Sequence, residues 1–164
     1  MTSRADAVLV DRIAAVVDTH AITRSAIEER ARLMLTMAKT DAEKAQARRD
    51  ALTELIEDWL IGKDAERLGL SVSDEDVQAA LTSVATQNQL TVAQLLVETK
   101  RQGIDADGYR ALLRRKILEM KWLNVRANRD AQPAADAERG VFYASERVRL
   151  IGELKRAAAI EVRT

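Results

Sequence analysis

The chain has 164 residues, of which 47% are hydrophobic and 32% are charged, enough apolar content for the core of one domain or two small ones. The 26 basic and 26 acidic residues cancel, which argues against a general polyanion binder. Cysteine is absent, which excludes disulfides, Cys-ligated zinc and thiol catalysis. One proline and six glycines favour long helices over a turn-rich β fold.

The apolar residues do not form a membrane span or a visible secretion signal. The longest uninterrupted apolar run, residues 13–17, is far shorter than the ~20 residues that a spanning helix needs. Residues 1–4 lead directly into a strand-like segment, without the apolar stretch of a signal peptide. We therefore expect either that a signal peptide is missing from this sequence or that the protein is cytoplasmic.

The first predicted elements are a β-hairpin and a helix. Residues 8–17 are rich in β-branched side chains and favour a strand. Residues 18–20, which include His20, are predicted to form a turn, and residues 21–23 a short return strand. Ser25 and Glu28 have the spacing of a capping box, so a first helix is expected from about Thr23 or Ser25 to about residue 39.

Three further helices are bounded by recognisable start and stop residues. The second is predicted over about 41–68, because its apolar residues form a stripe of helical period. Gly69 follows it where a left-handed C-cap is expected. Ser73 is the predicted N-cap of a third helix, and Thr91 opens a fourth that ends at Gly103.

The last part of the chain predicts two more helices and a strand. Asp105 caps a long fifth helix that reaches about residue 128. Residues 131–135 contain the only proline and predict a loop or hinge. A sixth helix is expected over about 137–157, and residues 159–163 alternate in the manner of a strand.

The two ends of the chain should share one small sheet, because a strand must pair and the other strand candidates all precede residue 24. The predicted fold is therefore mainly α: about six helices with a small β-sheet formed by the N-terminal hairpin and the C-terminal strand. We expect a single domain over residues 1–164, with a helical core at about 24–128, a short linker at 129–136 and a closing helix and strand at 137–164. This arrangement also permits two copies to exchange an end segment and form a homodimer.

Few residues suggest catalysis. His20 is the only histidine and lies beside Asp18; we interpret it as an exposed turn residue rather than a metal ligand. The acidic residues 74–76 complement the dipole at the start of the third helix. Phosphate-binding, dinucleotide-binding and GxSxG motifs are all missing. The sequence predicts no catalytic residue, no metal and no cofactor.

The fifth helix carries a run of basic residues, and two interpretations of it stay open. These residues are Arg110, Arg114, Arg115, Lys116, Lys121, Arg126 and Arg129. With the preceding helix and its glycine turn, helix 105–128 can form a helix-turn-helix that enters a DNA major groove, which would indicate a cytoplasmic DNA-binding protein. The alternative is a solvated helix face. It is favoured because Asp105 and Asp107 would meet the phosphates with like charge.

Five segments, taken in order, carry a resemblance to a known family. They are residues 10–17 with 22–25, residues 68–77, residues 87–88 with 90–91 and 94–95, residues 103–104 with 109–110 and 113–115, and residues 158–163. Together they resemble the SurA family of periplasmic chaperones for outer-membrane proteins. The resemblance implies ATP-independent holding of unfolded outer-membrane proteins in the periplasm, within an apolar crevice.

The chain departs from that family in one respect. Its members usually carry one or two parvulin-type prolyl isomerase domains between the long fifth helix and the closing helix. Here that interval is only about residues 129–136, whereas such a domain needs on the order of 100 residues. The resemblance therefore implies the chaperone core alone, without isomerase activity.

Apolar residues on three helices are the candidate peptide-binding residues, since methionine suits surfaces that accept varied partners. The candidates are Leu33, Met34, Met37, Leu95, Leu96, Ile117 and Met120. Packing between six helices is the alternative explanation for each of them. The expected partners are unfolded outer-membrane proteins or peptides, rather than a small molecule or a nucleic acid.

Overall fold

The computed structural model describes residues 11–127 and 136–163. Within those residues the chain forms three strands and six helices. In order these are β1 (Ile13–Val17), β2 (His20–Thr23), α1 (Arg24–Met37), α2 (Asp41–Arg67), α3 (Asp74–Gln87), α4 (Val92–Arg101), α5 (Ala106–Arg126), α6 (Asp136–Ala157) and β3 (Ile160–Val162). The predicted fold class, mainly α with a small sheet, is confirmed.

The chain divides into two compact units, with the boundary inside α2. The described residues of the first unit lie within Met1–Ile56 and Ala158–Thr164, and we call it the sheet unit. Those of the second lie within Glu57–Ala157, and we call it the helical unit. The single-domain organisation stays a prediction.

In the sheet unit, the two ends of the chain meet in one antiparallel sheet, as predicted. The strand order is β2-β1-β3, so β1 is the central strand. The backbone N–H of Asp18 donates to the Ala159 carbonyl and that of Arg163 to the Ala14 carbonyl, both at 2.8 Å. Predicted strand residues 8–10 lie outside the described residues, and the strand itself begins at Ile13. His20 starts β2 rather than belonging to the turn, a correction to the sequence prediction.

The first helix begins at the earlier of the two expected positions. Thr23 is the N-cap, and its hydroxyl accepts a hydrogen bond from the Ala26 N–H at 3.3 Å. Thr23 ends β2 with extended backbone angles, which are the angles an N-cap requires. The Ser25 side chain is used elsewhere, since its hydroxyl donates to the carboxylate of Asp11. The predicted capping box at Ser25 is therefore replaced by a cap at Thr23.

Small side chains dominate the core of the sheet unit. Its buried apolar residues are Ala14, Ala15, Val17, Ile22, Ile27, Ala31, Ala47, Ala51 and Ile56. The helix α1 contributes only Ile27 and Ala31 to this core. After Ala31, no residue of α1 is buried.

The helical unit contains two apolar clusters built from larger side chains. One consists of Ile61 and Ala65 from α2, Trp122 from α5, and Leu150 and Ile151 from α6. The other consists of Val77, Leu81, Ala85 and Leu95, from α3 and α4, with side chains of α5 packed against it. The long helix α5 contacts both clusters and so connects them.

The helix ends in this unit follow the sequence prediction closely. Ser73 and Thr91 each form a complete capping box, and the Asp105 carboxylate accepts a hydrogen bond from the Gly108 N–H at 2.8 Å. Gly69 and Gly103 have φ values of 69° and 89°, in the left-handed region that favours glycine. The predicted hinge at residues 131–135 lies outside the described residues. Within the described ranges, no helix combines the length and apolarity required to cross a membrane.

Candidate polypeptide-binding surface

The second half of α1 presents three apolar side chains to solvent. Leu33, Met34 and Met37 are 37%, 36% and 80% exposed. Residues three or four positions apart are neighbours on a helix surface, so Met37 adjoins both Leu33 and Met34. We call these three residues the α1 apolar surface. Contiguous apolar side chains of this kind mark interaction sites more often than scattered single ones do.

Two arginines next to this surface are paired with acids within the protein. Arg32 forms an ion pair with Glu29, one helical turn away. Arg30 forms an ion pair with Glu54 of α2, with 3.3 Å between nitrogen and oxygen. The α1 apolar surface therefore offers flexible methionine and leucine side chains beside neutralised charges. Such a surface can accept different apolar sequences without requiring a particular charge.

The candidate residues of the helical unit are placed differently. Leu95 is only 7% exposed and belongs to the cluster around Leu81. Leu96 and Ile117 are partly buried and pack against that cluster. Met120 on α5 is 64% exposed. Leu95 therefore packs in the core, and Met120 is the most accessible of the four candidates in this unit.

Sequence reasoning overlooked an exposed apolar pair on α6. Val141 and Val148 are 75% and 71% exposed. They are seven residues apart, a separation that places two side chains on the same helix face. The seven-residue spacing is visible in the sequence, but buried apolar stripes of helices have the same spacing. The spacing alone therefore does not show that these valines are exposed.

The basic side chains of α5 are paired with carboxylates. Arg114 lies 2.6 Å from Asp74, and Lys121 lies 2.7 Å from Asp76, which joins α5 to the first turn of α3. The other pairs are Arg110–Asp107, Arg115–Asp58, Lys116–Glu119 and Arg126–Asp64, at 3.2 to 3.5 Å. Arg129 lies outside the described residues. Since each described member of the basic run has an acidic partner, this helix offers phosphate little uncompensated charge, and the DNA-binding interpretation loses its main support.

The acidic start of α3 has a second role beyond the helix dipole. The hydrogen bond from Lys121, together with that from the Ser73 backbone, lowers the pKa of Asp76 below its ordinary value. The carboxylate is therefore held in its charged form, in which it binds Lys121. These acids are explained by helix packing and capping rather than by catalysis.

A buried carboxylate anchors α2 to α5. Asp64 is 4% exposed and accepts a hydrogen bond from the Trp122 indole N–H at 2.8 Å. Burial opposes ionisation of this group, but the hydrogen bonds from Trp122 and Arg67 and the nearby charge of Arg126 outweigh it. The pKa of Asp64 is therefore lowered. Because its acceptor oxygens are already used, Asp64 serves packing.

No set of three or more His, Cys, Asp and Glu residues is arranged to bind a metal ion in the part of the chain that the structure describes. The candidate site is therefore built from the exposed apolar side chains rather than from metal ligands. The described residues form a mainly helical protein with a small sheet, and apolar side chains are exposed on α1, α5 and α6.

The comparison with known proteins assigns the family. Residues 10–122 match the SurA N-terminal domain family, and the chain belongs to it. Two relatives, each named Chaperone SurA, come from Ralstonia nicotianae and Aliivibrio fischeri. They are 37% and 29% identical over 114 and 124 residues, which is 67% and 73% of this chain. The chain spans 23% and 28% of their lengths, about a quarter of each.

A solved structure shares the fold. It comes from work describing two structurally related SurA-like chaperones of Campylobacter jejuni. The match has a TM-score of 0.54 at 21% sequence identity and covers 85% of this chain and 51% of the other. At this identity the likeness supports the fold, which agrees with the family assignment.

Proposed function

We propose that this chain is an ATP-independent chaperone that holds unfolded outer-membrane polypeptides in the periplasm. Membership of the SurA N-terminal domain family supports the proposal, as do the relatives named Chaperone SurA. Its activity is binding, and no prolyl isomerisation is assigned to it. The observation that carries the proposal is the exposure of the α1 apolar surface, Met37 above all.

The proposed mechanism is transient covering of apolar client segments. Burying one methionine or leucine side chain contributes at most about 1.5–3 kcal/mol, and part of that is lost to ordering the client chain. A client held by three such side chains therefore dissociates readily, so that release needs no chemical energy. Delay of aggregation follows because client segments that are covered cannot pair with one another.

Weak selectivity also follows from the residues at this surface. Methionine has three rotatable bonds and a polarisable sulfur, so it adapts to client side chains of different shape. The ion pairs of Arg30 and Arg32 neutralise two charges near the surface that would otherwise favour an acidic client. A chaperone for many unfolded chains requires this tolerance.

A light-scattering assay tests the proposal. A urea-unfolded outer-membrane β-barrel protein is diluted out of denaturant with and without a few-fold excess of this chain. We expect suppressed scattering with the native chain and several-fold weaker suppression with Met34→Gln/Met37→Gln. Val141→Thr/Val148→Thr is the matched control, since it removes apolar character from two exposed residues elsewhere. Unchanged scattering with the folded native chain would refute the holding function.

We further propose that two copies can form a homodimer by exchanging the C-terminal segment. The strand β3 contains three residues, and among the described strands it pairs with β1. The same hydrogen bonds form when a second copy contributes this strand. Light scattering coupled to size-exclusion chromatography would show a dimer mass at high concentration. A monomer mass at every concentration would refute the exchange.

A further inference from the structure

A cleft on the sheet unit has an apolar floor. It has a volume of about 440 Å³ and is lined by residues of β1, β3, α1 and α2. Its apolar lining consists of Ala14, Ile27, Leu52 and Val162. This volume is at the small end of the roughly 300–1,000 Å³ that is typical of ligand-binding pockets. The cleft therefore suits one or two residues of a peptide rather than a folded surface.

The rim of this cleft is strongly basic. Four arginines line it, Arg24, Arg48, Arg49 and Arg163, against a single acid, Glu28. Arg48 and Glu28 neutralise each other through two hydrogen bonds of 2.6 and 3.3 Å. The hydrogen bond to Glu28, followed by the charge of that carboxylate, raises the pKa of Arg48. Glu28 is therefore committed to Arg48 and does not compensate the other arginines.

Two of these guanidinium groups have no acidic partner among the described residues. Arg49 donates to the neutral amide oxygen of Gln46 at 2.6 and 3.1 Å. Within residues 11–127 and 136–163, neither Arg24 nor Arg49 forms an ion pair with a carboxylate. By contrast, Arg163 pairs with Glu161 at 3.0 Å. The cleft thus presents uncompensated positive charge beside an apolar floor.

We propose that this cleft binds the C-terminal end of an extended polypeptide, with its free carboxylate on Arg24 and Arg49 and its last apolar side chain on the floor. A guanidinium group is a planar fork of N–H donors that matches the two oxygens of a carboxylate. A peptide C-terminus also places a carboxylate and a side chain on the same carbon atom, which matches adjacent rim and floor. The inference rests on the proposed function only in taking unfolded polypeptide as the ligand.

Three fluorescent hexapeptides that differ only at the C-terminal residue test the proposal with the unmodified chain. One ends in leucine with a free carboxylate, the second in leucine amide, and the third in glycine with a free carboxylate. By fluorescence anisotropy we expect the leucine acid to bind tightest, with affinity about tenfold above that of the amide, as is typical for hydrogen bonds to a charged group. The glycine acid should bind more weakly than the leucine acid. Equal affinities for the acid and the amide would overturn the proposal.

Variants then locate the binding. Arg24→Gln/Arg49→Gln should reduce the affinity for the leucine acid to that for the amide, whereas Arg101→Gln/Arg156→Gln, an equal charge change outside the cleft, should preserve the preference. Arg24→Lys/Arg49→Lys keeps the positive charge but removes the forked donor geometry of the guanidinium groups. This variant should retain only part of the preference for the acid over the amide. A preference that survives Arg24→Gln/Arg49→Gln, with folding verified by circular dichroism, would overturn the proposal.

Two further measurements separate this inference from its alternatives. Decanoate offers a carboxylate and an apolar tail without a peptide bond, and we expect it to compete weakly. Decanoate binding in the cleft while the leucine acid does not bind would assign the cleft to fatty acids and overturn the proposal. The aggregation assay tests the holding function, and the peptide-binding assay tests the cleft. A chain that fails to suppress aggregation but prefers the free acid would refute only the holding function.

Discussion

The sheet unit and the helical unit bury different kinds of side chain. Among the described residues of the sheet unit, five of the nine buried apolar residues are alanines. The helical unit instead buries Trp122, Leu81, Leu150 and a charged anchor, Asp64. Alanine has little apolar surface to bury, so each contact in the sheet unit contributes less free energy than a Trp or Leu contact does. The helical unit is therefore the more strongly stabilised of the two.

This difference parallels the proposed division between scaffold and binding surface. In the helical unit, the two clusters contain Trp122, Leu81 and Leu150, and the described basic residues of α5 form ion pairs. In the sheet unit, Leu33, Met34 and Met37 of α1 are exposed, and two arginines of the cleft form no ion pair with an acid of the described residues. The α1 apolar surface and these two arginines therefore both belong to the unit with the smaller core. The following changes test this contrast, in order of decreasing effect on stability.

The largest effect is expected from Trp122→Ala. The substitution removes the largest buried side chain and also leaves the buried Asp64 without its indole donor. We expect a loss of about 4 kcal/mol in the free energy of unfolding, measured by urea denaturation. Val148→Ala, at an exposed position of α6, is the control and should change stability by less than about 0.5 kcal/mol. A loss below about 1 kcal/mol for Trp122→Ala would show that this cluster is not the stable part of the molecule.

The next effect is expected from Asp64→Asn. Asparagine keeps an acceptor for the Trp122 indole but removes the charge that faces Arg67 and Arg126. Breaking a fully buried ion pair costs about 3–5 kcal/mol. Since Arg67 is largely exposed, we expect about 2 kcal/mol at neutral pH. Guanidinium denaturation would confirm it, and an unchanged midpoint would contradict the anchoring role.

The stability that Asp64 contributes should depend on pH, and its lowered pKa fixes the sign of that dependence. The pKa of Asp64 is lower in the folded state than in the unfolded chain, where a carboxyl of this type titrates near ~3.9. The stabilisation is therefore complete above that value and is lost as the pH falls through the lowered folded pKa. The stability difference between the native chain and Asp64→Asn should shrink below about pH 4. A difference that grows on acidification would contradict the assignment.

A smaller effect is expected from Lys121→Met. Lys121 pairs with Asp76 and also donates to the Ser71 carbonyl at 3.0 Å. Its charged end is partly exposed, and pairs of this kind contribute about 1 kcal/mol or less. Thermal unfolding in low and in high salt should show a small loss that narrows as salt screens the pair. A loss comparable to that of Asp64→Asn would mean that the α3–α5 contact, rather than the buried anchor, dominates this unit.

The smallest effect on stability is expected from Met34→Gln/Met37→Gln. Both side chains are exposed on α1, so stability should change by less than about 0.5 kcal/mol. Holding of unfolded client should nevertheless fall several-fold, as stated above. Loss of stability together with loss of holding would indicate that these methionines support the fold, and the contrast between the units would fail.

Local signals account for the parts of the fold that the sequence predicted well. Caps at Ser73, Thr91 and Asp105 depend on residues within one helical turn, so they are visible in the sequence. The pairing of β3 with β1 followed from the need of any strand for a partner. The choice of Thr23 over Ser25 as the N-cap was harder to predict from the sequence. It depends on a hydrogen bond from the Ser25 hydroxyl to Asp11, which lies fourteen positions away.

The candidate surface was harder to predict than the fold. Leu95 and Met37 both lie in helical apolar patterns, and only packing shows that Leu95 is buried while Met37 is exposed. Likewise the basic run on α5 looks uncompensated in the sequence, since its partners Asp74 and Asp76 lie about forty residues away. Distant contacts decide which charges and which apolar groups remain available.

Methyl NMR of the methionines tests the central claim most directly. Chain labelled with ¹³C at the methionine methyl groups is titrated with an unfolded outer-membrane polypeptide, and Met34, Met37 and Met120 report on the two units separately. We predict that the Met34 and Met37 signals shift or broaden at the lowest client ratios. Binding of client that leaves both of these signals unchanged would contradict the assignment of the α1 apolar surface.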